Sequence, residues 1–491
     1  MRDNQFNNPK IIRQQAFVAG AWCAADNGTV CKVDNPATGE VLGTVPGLGE
    51  VETRRAIAGA TLAQKSWALK TGKERSAVLR KWHDLMFDNS DDLALLLTLE
   101  QGKPVAESKG EILTGLGYLE WFAEEAKRNY GDVIPGHLSD KRLLTIKQPV
   151  GVVAAITPWN FPHLMISRKV APALAAGCAI VVKPALETPF SALAMAYLAQ
   201  EAGIPDGLFS VVTGDAEPIA GELTGNPVVR KLSFTGSTPV GKLLMRQCAD
   251  HVKKLTLELG GNAPFIVFDD ADVDAAVEGA IASKFRNSGQ TCVCANRFFV
   301  QDNIYDEFVR KFADAIHTQL VPGSGVEPGV TQGPLISEQS VKRTQALVDD
   351  AIAKGATVLT APRDNILSDG YFFAPVALGE VNTGMRVVQE ELFAPVAPLL
   401  RFKDEDEVVS LANQTNYGLA GYLYSRDHSR IWRVAEALET GMVGVNTGMI
   451  TTELAPFGGI KESGLGREGS RYGMEDYIEI KYICLDVNQD G

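Results

Sequence analysis

The chain has 491 residues, 45% hydrophobic and 22% charged, which is ample material for large cores and a length that favours more than one domain. A formal charge of −13 without any cluster of Lys and Arg excludes a nucleic-acid surface. Seven thinly spread cysteines fit a reducing compartment. Residues 1–15 lack the apolar core of a signal peptide and no apolar run reaches membrane-spanning length, so the expected location is the cytoplasm, with no membrane partner.

Over 17–45, short apolar runs alternate with turn chemistry at Asp26-Asn27-Gly28, Asp34-Asn35-Pro36 and Thr38-Gly39, which predicts short strands in a hairpin-like entry. Apolar residues then recur every three or four positions over 51–69 and 74–101, predicting helices that face a core and carry no identifiable chemistry. The stretch 131–147, with Pro135-Gly136 and a polar run, reads as a loop followed by a strand. From 150 to 258, β-branched runs at 151–156, 178–182, 209–212, 232–234 and 255–257 alternate with helical periods. That order predicts a parallel sheet covered by helices, with a dinucleotide site at the carboxyl ends of its strands. A second α/β region follows: strand 265–268, helix 272–285, a cysteine loop, strand 298–300 and helix 304–320, placing the site between two domains.

Three stretches carry candidate chemistry. In Phe285-Arg286-Asn287-Ser288-Gly289-Gln290-Thr291-Cys292, a cysteine follows a glycine-bearing turn, where an exposed thiol beside a cation such as Arg286 can act as a nucleophile; the alternative is a small buried packing residue. Leu257-Glu258-Leu259-Gly260-Gly261 sets one carboxylate, Glu258, at the end of an apolar strand, a costly place unless the group is paired or at work. Pro158-Trp159-Asn160-Phe161-Pro162 holds the Asn160 amide between two prolines on a rigid loop, a setting suited to an oxyanion donor. The run 235–239 opens an amphipathic helix that Ser237 or Thr238 can cap, leaving N–H groups for a phosphate, although no G-x-G-x-x-G precedes it. Six histidines show no metal spacing, so no metal is expected.

Taken together with Lys183-Pro184, the F-T-G-S-T run at 234–238 and Pro456-Phe457-Gly458-Gly459, these motifs resemble the aldehyde dehydrogenase superfamily over nearly the whole chain. Within it the resemblance is greatest to the succinate-semialdehyde dehydrogenases, through Met165-Ile166-Ser167-Arg168-Lys169, Lys284-Phe285-Arg286-Asn287 and Gly464-Leu465-Gly466-Arg467-Glu468-Gly469-Ser470. The resemblance implies an α/β fold with a Rossmann-type cofactor domain (10–128 and 149–259), a catalytic domain (260–470) and a strand-rich oligomerisation arm and tail (129–148 and 471–491). It also implies a homodimer or homotetramer. The activity it implies is NAD- or NADP-dependent oxidation of a small semialdehyde through a Cys292 thioester, with Asn160 at the oxyanion and Glu258 activating water.

Cofactor contacts carry over onto Ile156, Thr157, Pro158, Trp159, Lys183, Pro184, Ala185, Leu186, Gly236, Ser237, Leu259, Glu391 and Phe393. Two positions depart from the family pattern. Leu186 stands where a glutamate often selects NAD, with Glu187 one place later, so NADP is the expected cofactor with NAD accepted to some degree; Ala394 replaces a glycine, which strains the turn if the glycine conformation is needed. Arg168 and Arg286, with Thr451, match the residues that bind the distal carboxylate of succinic semialdehyde in the family, against the alternative of structural ion pairs. Glutaric semialdehyde is not excluded by any residue. Cys294, two positions past the nucleophile, matches the partner in a redox switch of some relatives, the alternative being simple packing.

Overall fold

The computed structural model describes residues 5–362 and 369–487; the last four residues of the expected tail, 488–491, lie outside them. Two large sheets organise the chain. The first has eight strands in the order Gly464–Leu465, Lys254–Glu258, Val229–Thr235, Val152–Ile156, Ala179–Lys183, Phe209–Val211, Ala16–Val18 and Ala21–Cys23. Its five middle strands run parallel. They are buried almost throughout because helices such as Pro162–Ala176 and Pro189–Ala202 cover the faces, and this burial is why they read as continuous apolar runs rather than as alternating ones.

Strand register decides where the site lies. Ile156 pairs with Lys183 on one side and Phe234 on the other, and one step further Thr235 pairs with Glu258. Lys183, Ile156, Thr235 and Glu258 therefore end neighbouring parallel strands along one edge, where an open α/β sheet places its ligand crevice.

The second sheet has seven strands in the order Thr357–Val358, Val376–Gly379, Val396–Phe402, Ala295–Gln301, Ala263–Val267, Ala420–Tyr424 and Met442–Val445. Its two faces carry separate apolar cores, one around Phe265, Phe298 and Phe312 and the other around Ile266, Phe299 and Leu423. A third, three-stranded sheet joins Val133–Ile134 and Lys141–Pro149 to Ile478–Asp486, the last two pairing antiparallel over nine residues. The stretch 131–147 thus supplies two strands to an arm completed by the end of the chain. The predicted entry hairpins are present as Ala16–Val18 with Ala21–Cys23 and Val30–Asp34 with Val41–Pro46.

The single helix expected over 74–101 is two helices, Gly72–Asp88 and Ser90–Gln101. Asn89 separates them, because its side-chain amide turns back to donate to Leu85 O and competes with continuation of the ladder. Glu258 sits within the strand Lys254–Glu258 itself, and the strand Val229–Thr235 is longer at both ends than the predicted 232–234. Among the described residues no helix is long and apolar enough to cross a membrane.

Candidate active site

The loop that carries the candidate nucleophile Cys292 begins where the helix Val273–Phe285 ends. Asn287 (φ 51°), Ser288 (φ 55°) and Gly289 (φ 76°) are left-handed in succession, a conformation that costs about 1–2 kcal/mol for each non-glycine residue and persists only when the surroundings hold it. The surroundings do so: Asn287 N donates to Glu107 Oε2 at 2.7 Å, Gln101 Nε2 donates to Asn287 Oδ1 at 2.9 Å, and Ser288 Oγ donates to Gly333 O at 2.7 Å. A Cβ at Gly289 would lie 2.3 Å from Ala394 O, and one at Gly261 would lie 2.4 Å from Cys292 O, so both glycines admit a close backbone approach.

This turn delivers Cys292, half-buried, to the floor of a cavity of about 250 Å³. Burial pushes its thiol up to about 12, opposed by the positive charge of Arg168. The cation whose charge opposes this rise is Arg168 rather than the expected Arg286, which stands over the Phe161 ring with its guanidinium 5.2 Å from the centroid.

Asn160 lines the same cavity. Its Oδ1 accepts from Phe161 N at 3.1 Å, which fixes which way the amide faces, and its Nδ2 donates to Gln290 O in the nucleophile loop at 3.0 Å. One amide hydrogen remains for an oxyanion, the requirement for a preorganised donor.

Glu258 lines the cavity too, and both its carboxylate oxygens are buried without a hydrogen-bond partner among the described residues. Burial holds its pKa well above the usual carboxylate range, helped by the neighbouring Glu468 carboxylate and opposed by Arg168 and Lys169. Glu468 belongs to an ion cluster that sequence reading missed. Lys169 Nζ donates to Glu468 Oε1 across 299 positions, and Arg168 Nε stands 2.5 Å from Glu468 Oε2. A buried pair of this kind costs about 3–5 kcal/mol when one partner is removed. The available signal was Arg168-Lys169 inside the mostly apolar, fully buried helix Pro162–Ala176, since two adjacent cations there demand an anion.

The other wall of the cavity is suited to a nucleotide. Pro158, Trp159, Gly236, Ser237, Leu259, Glu391 and Phe393 line it. Ser237 precedes the helix Thr238–Ala249, but neither predicted cap forms: the Ser237 side chain caps nothing, and Thr238 Oγ1 donates to Glu462 O and accepts from Gly260 N. First-turn N–H groups are thus left for an anion, and the buried hydroxyls of Thr157 and Thr235 have no partner among the described residues.

Glu391 accepts from Gly261 N at 3.0 Å and is raised to about 7 by burial. Phe393 meets Trp159 edge to face at 5.6 Å, and it is Phe393 (φ 52°), not Ala394, that takes the left-handed conformation, so the methyl group of Ala394 adds no backbone strain. Lys183 is buried at its strand end with Nζ donating to Pro184 O at 3.0 Å; Ala185 and Leu186 are half-buried after it, and exposed Glu187 faces its charge.

The substrate candidates stand differently from one another, and none of Arg168, Arg286, Thr451 and Cys294 is among the residues lining the cavity. Arg168 is 1% exposed, paired with Glu468 and 4.2 Å over the Phe457 ring. Arg286 and Thr451 are half-buried. Cys294 is buried as a free thiol, its Sγ donating to Lys284 O at 3.4 Å.

Comparison with known proteins gives a consistent result. The chain is 61% identical to a glutarate-semialdehyde dehydrogenase of Pseudomonas putida, covering 98% of this chain and 100% of that one. It is 58% identical to the NADP(+) succinate-semialdehyde dehydrogenase of Escherichia coli, again over 98% and 100%. A crystal structure of succinate-semialdehyde dehydrogenase from Burkholderia pseudomallei superimposes with a TM-score of 0.97 at 60% identity, over 98% and 100% of the two chains. Residues 22–483 match the aldehyde dehydrogenase family, and the chain belongs to that family.

Proposed function

We propose that this protein oxidises a short ω-semialdehyde, succinic or glutaric, to the dicarboxylate with NAD(P). Cys292 Sγ adds to the aldehyde carbon and its proton leaves to solvent or a base, while the free amide hydrogen of Asn160 meets the developing oxyanion. A nicotinamide dinucleotide, held by the first turn of the helix Thr238–Ala249, Lys183, Glu391 and Phe393, supplies the hydride acceptor when bound. The acyl group remains on Cys292 as a thioester, and Glu258 takes a proton from the water that hydrolyses it.

The observation that carries this reading is Glu258: a buried carboxylate of raised pKa, with both oxygens unpartnered, in the cavity that also holds Cys292 and Asn160. A non-catalytic protein of this fold would have no use for it. The two chain lengths stay together because similar relatives bear the names of both substrates.

Of the two candidate arginines, Arg286 is the one free to meet a distal carboxylate, since Arg168 already serves Glu468 and faces Cys292. The units 10–128 with 149–259, 260–470, and 129–148 with 471–491 serve as cofactor, catalytic and arm domains, and the open three-stranded arm is the surface through which copies assemble as a dimer or tetramer. Steady-state kinetics on a series of ω-semialdehydes and their uncharged analogues, with each cofactor, tests the whole reading. A preference for uncharged aldehydes would overturn it.

A further inference from the structure

The segment 101–111, assigned no chemistry by its sequence, reaches both loops of the active site. From its start, Gln101 and Glu107 hold the left-handed Asn287 of the nucleophile loop. Further contacts go to the Asn160 loop. Lys103 Nζ, with a side chain wholly out of solvent, donates to Asn160 O at 2.7 Å and to Glu111 Oε2 at 2.6 Å, and stands 3.6 Å over the Phe161 ring. The second oxygen, Glu111 Oε1, accepts from His163 N at 2.9 Å and Leu164 N at 3.1 Å, the first free donors of the helix Pro162–Ala176. Asn287 Nδ2 closes the circuit by donating to Asn160 O at 2.9 Å.

A fully buried ion pair is a poor way to gain stability, because desolvation of two charges offsets their attraction, so its retention here calls for another use. Geometry supplies one. An oxyanion donor acts only if its hydrogen is already in place when charge develops, and a displacement of about 1 Å costs about 100-fold in rate. The Asn160 side chain is oriented by its own neighbours, but its backbone is located by Lys103 from one side and Asn287 from the other.

We infer that Lys103, held by Glu111, is a positioning residue that locks Asn160 as the oxyanion donor for addition to Cys292. The inference rests on the proposed role of Asn160, and its test separates the two. In the wild-type protein, p-nitrophenyl acetate is expected to acylate the Cys292 thiolate: an S–C bond forms, the ester C–O bond breaks and p-nitrophenolate leaves. That reaction develops an oxyanion but needs neither cofactor nor semialdehyde. Iodoacetamide alkylates the same thiolate with loss of iodide and develops none.

Lys103→Met is expected to slow the p-nitrophenolate burst about 10- to 100-fold, the usual range for groups that orient a catalytic ligand, while leaving the alkylation rate within about twofold. In an Asn160→Ala background the same substitution should cost less than about threefold further, because there is no donor left to misplace. Lys103→Met with Glu111→Gln removes the unpaired buried charge, keeps an acceptor for the His163 and Leu164 N–H groups, and should show the same selective loss if the single variant folds poorly. Equal slowing of acylation and alkylation, or a full additional loss in the Asn160→Ala background, would overturn the inference. A normal ester burst in the wild type without semialdehyde oxidation would instead overturn the proposed substrate and leave the positioning role standing.

Discussion

The two walls of the cleft are built on opposite plans. Along the eight-stranded sheet, polar groups stand open: the Thr157 and Thr235 hydroxyls lack partners, Ser237 leaves the first turn of its helix uncapped, and Glu258 offers two bare oxygens. Around the loops of Asn160 and Asn287, by contrast, side-chain amides and buried charges are tied to one another and to backbone. The open wall pays a desolvation penalty that a ligand or a water can relieve, whereas the tied wall spends its hydrogen bonds on keeping a few atoms still. One side of the cleft is made to receive and the other to stay put.

The sharpest way to break that contrast is at the nucleophile. Cys292→Ala is expected to lower turnover about 10⁴-fold or more and to abolish any burst of reduced cofactor, since no acyl-enzyme can form. Single-turnover kinetics with mass spectrometry checks both. Glu258→Gln should come next, with the burst kept and steady turnover down by about 10²–10⁴-fold as the thioester waits for a base.

The pH dependence follows from the same residue. Because the Glu258 pKa is raised, its base form is present only above that value, so the hydrolytic step should fall as pH drops through it; the Gln variant should lose this dependence. A pre-steady-state pH series distinguishes the two. A variant with no burst would place Glu258 in the first step instead.

Recognition should show an intermediate effect. Arg286→Ala is expected to raise KM for the semialdehyde by about 30-fold, roughly 2 kcal/mol for a lost charged contact, with little change for an uncharged aldehyde of similar length. Arg168→Ala should strike both substrates alike, because it removes one of the two cations paired with Glu468 and the positive charge that opposes the rise of the Cys292 thiol. A smaller change is expected on the open wall: Leu186→Glu should move preference from NADP towards NAD by about tenfold, read from kcat/KM with each cofactor. Strict NAD use by the unmodified protein would instead make Glu187 the ribose acceptor. Smallest of all, Cys294→Ala should leave basal activity nearly unchanged but prevent recovery by dithiothreitol after peroxide, if Cys294 resolves an oxidised Cys292. Identical recovery in both proteins would leave Cys294 as packing, in keeping with its burial.

What could be read from sequence was whatever is written locally. Cys292 after its turn, Glu258 at its strand end and Asn160 between prolines were each singled out from about ten residues of local sequence and the structure brings them to one cavity, and the alternation of strand and helix over 150–258 was enough to place a parallel sheet. The ion clusters were not legible, because their logic is nonlocal: Lys103 meets Asn160 across 57 positions and Lys169 meets Glu468 across 299. Periodicity marked 74–101 as helical but could not reveal the break at Asn89, where one side-chain amide competes with the ladder. The caps proposed for Ser237 and Thr238 failed for a related reason, since tertiary partners claimed the Thr238 hydroxyl.

The short strand Gly464–Leu465 pairs antiparallel with the end of Lys254–Glu258, and Glu468 follows it into the cluster beside the Glu258 carboxylate. Residues distant in sequence therefore finish the edge on which Glu258 stands. Loss of the stretch 462–487 would remove Glu468, the closing strand and the buried Met474, Tyr477 and Ile478 together, so the surroundings of Glu258 and part of the first core stand or fall as one unit.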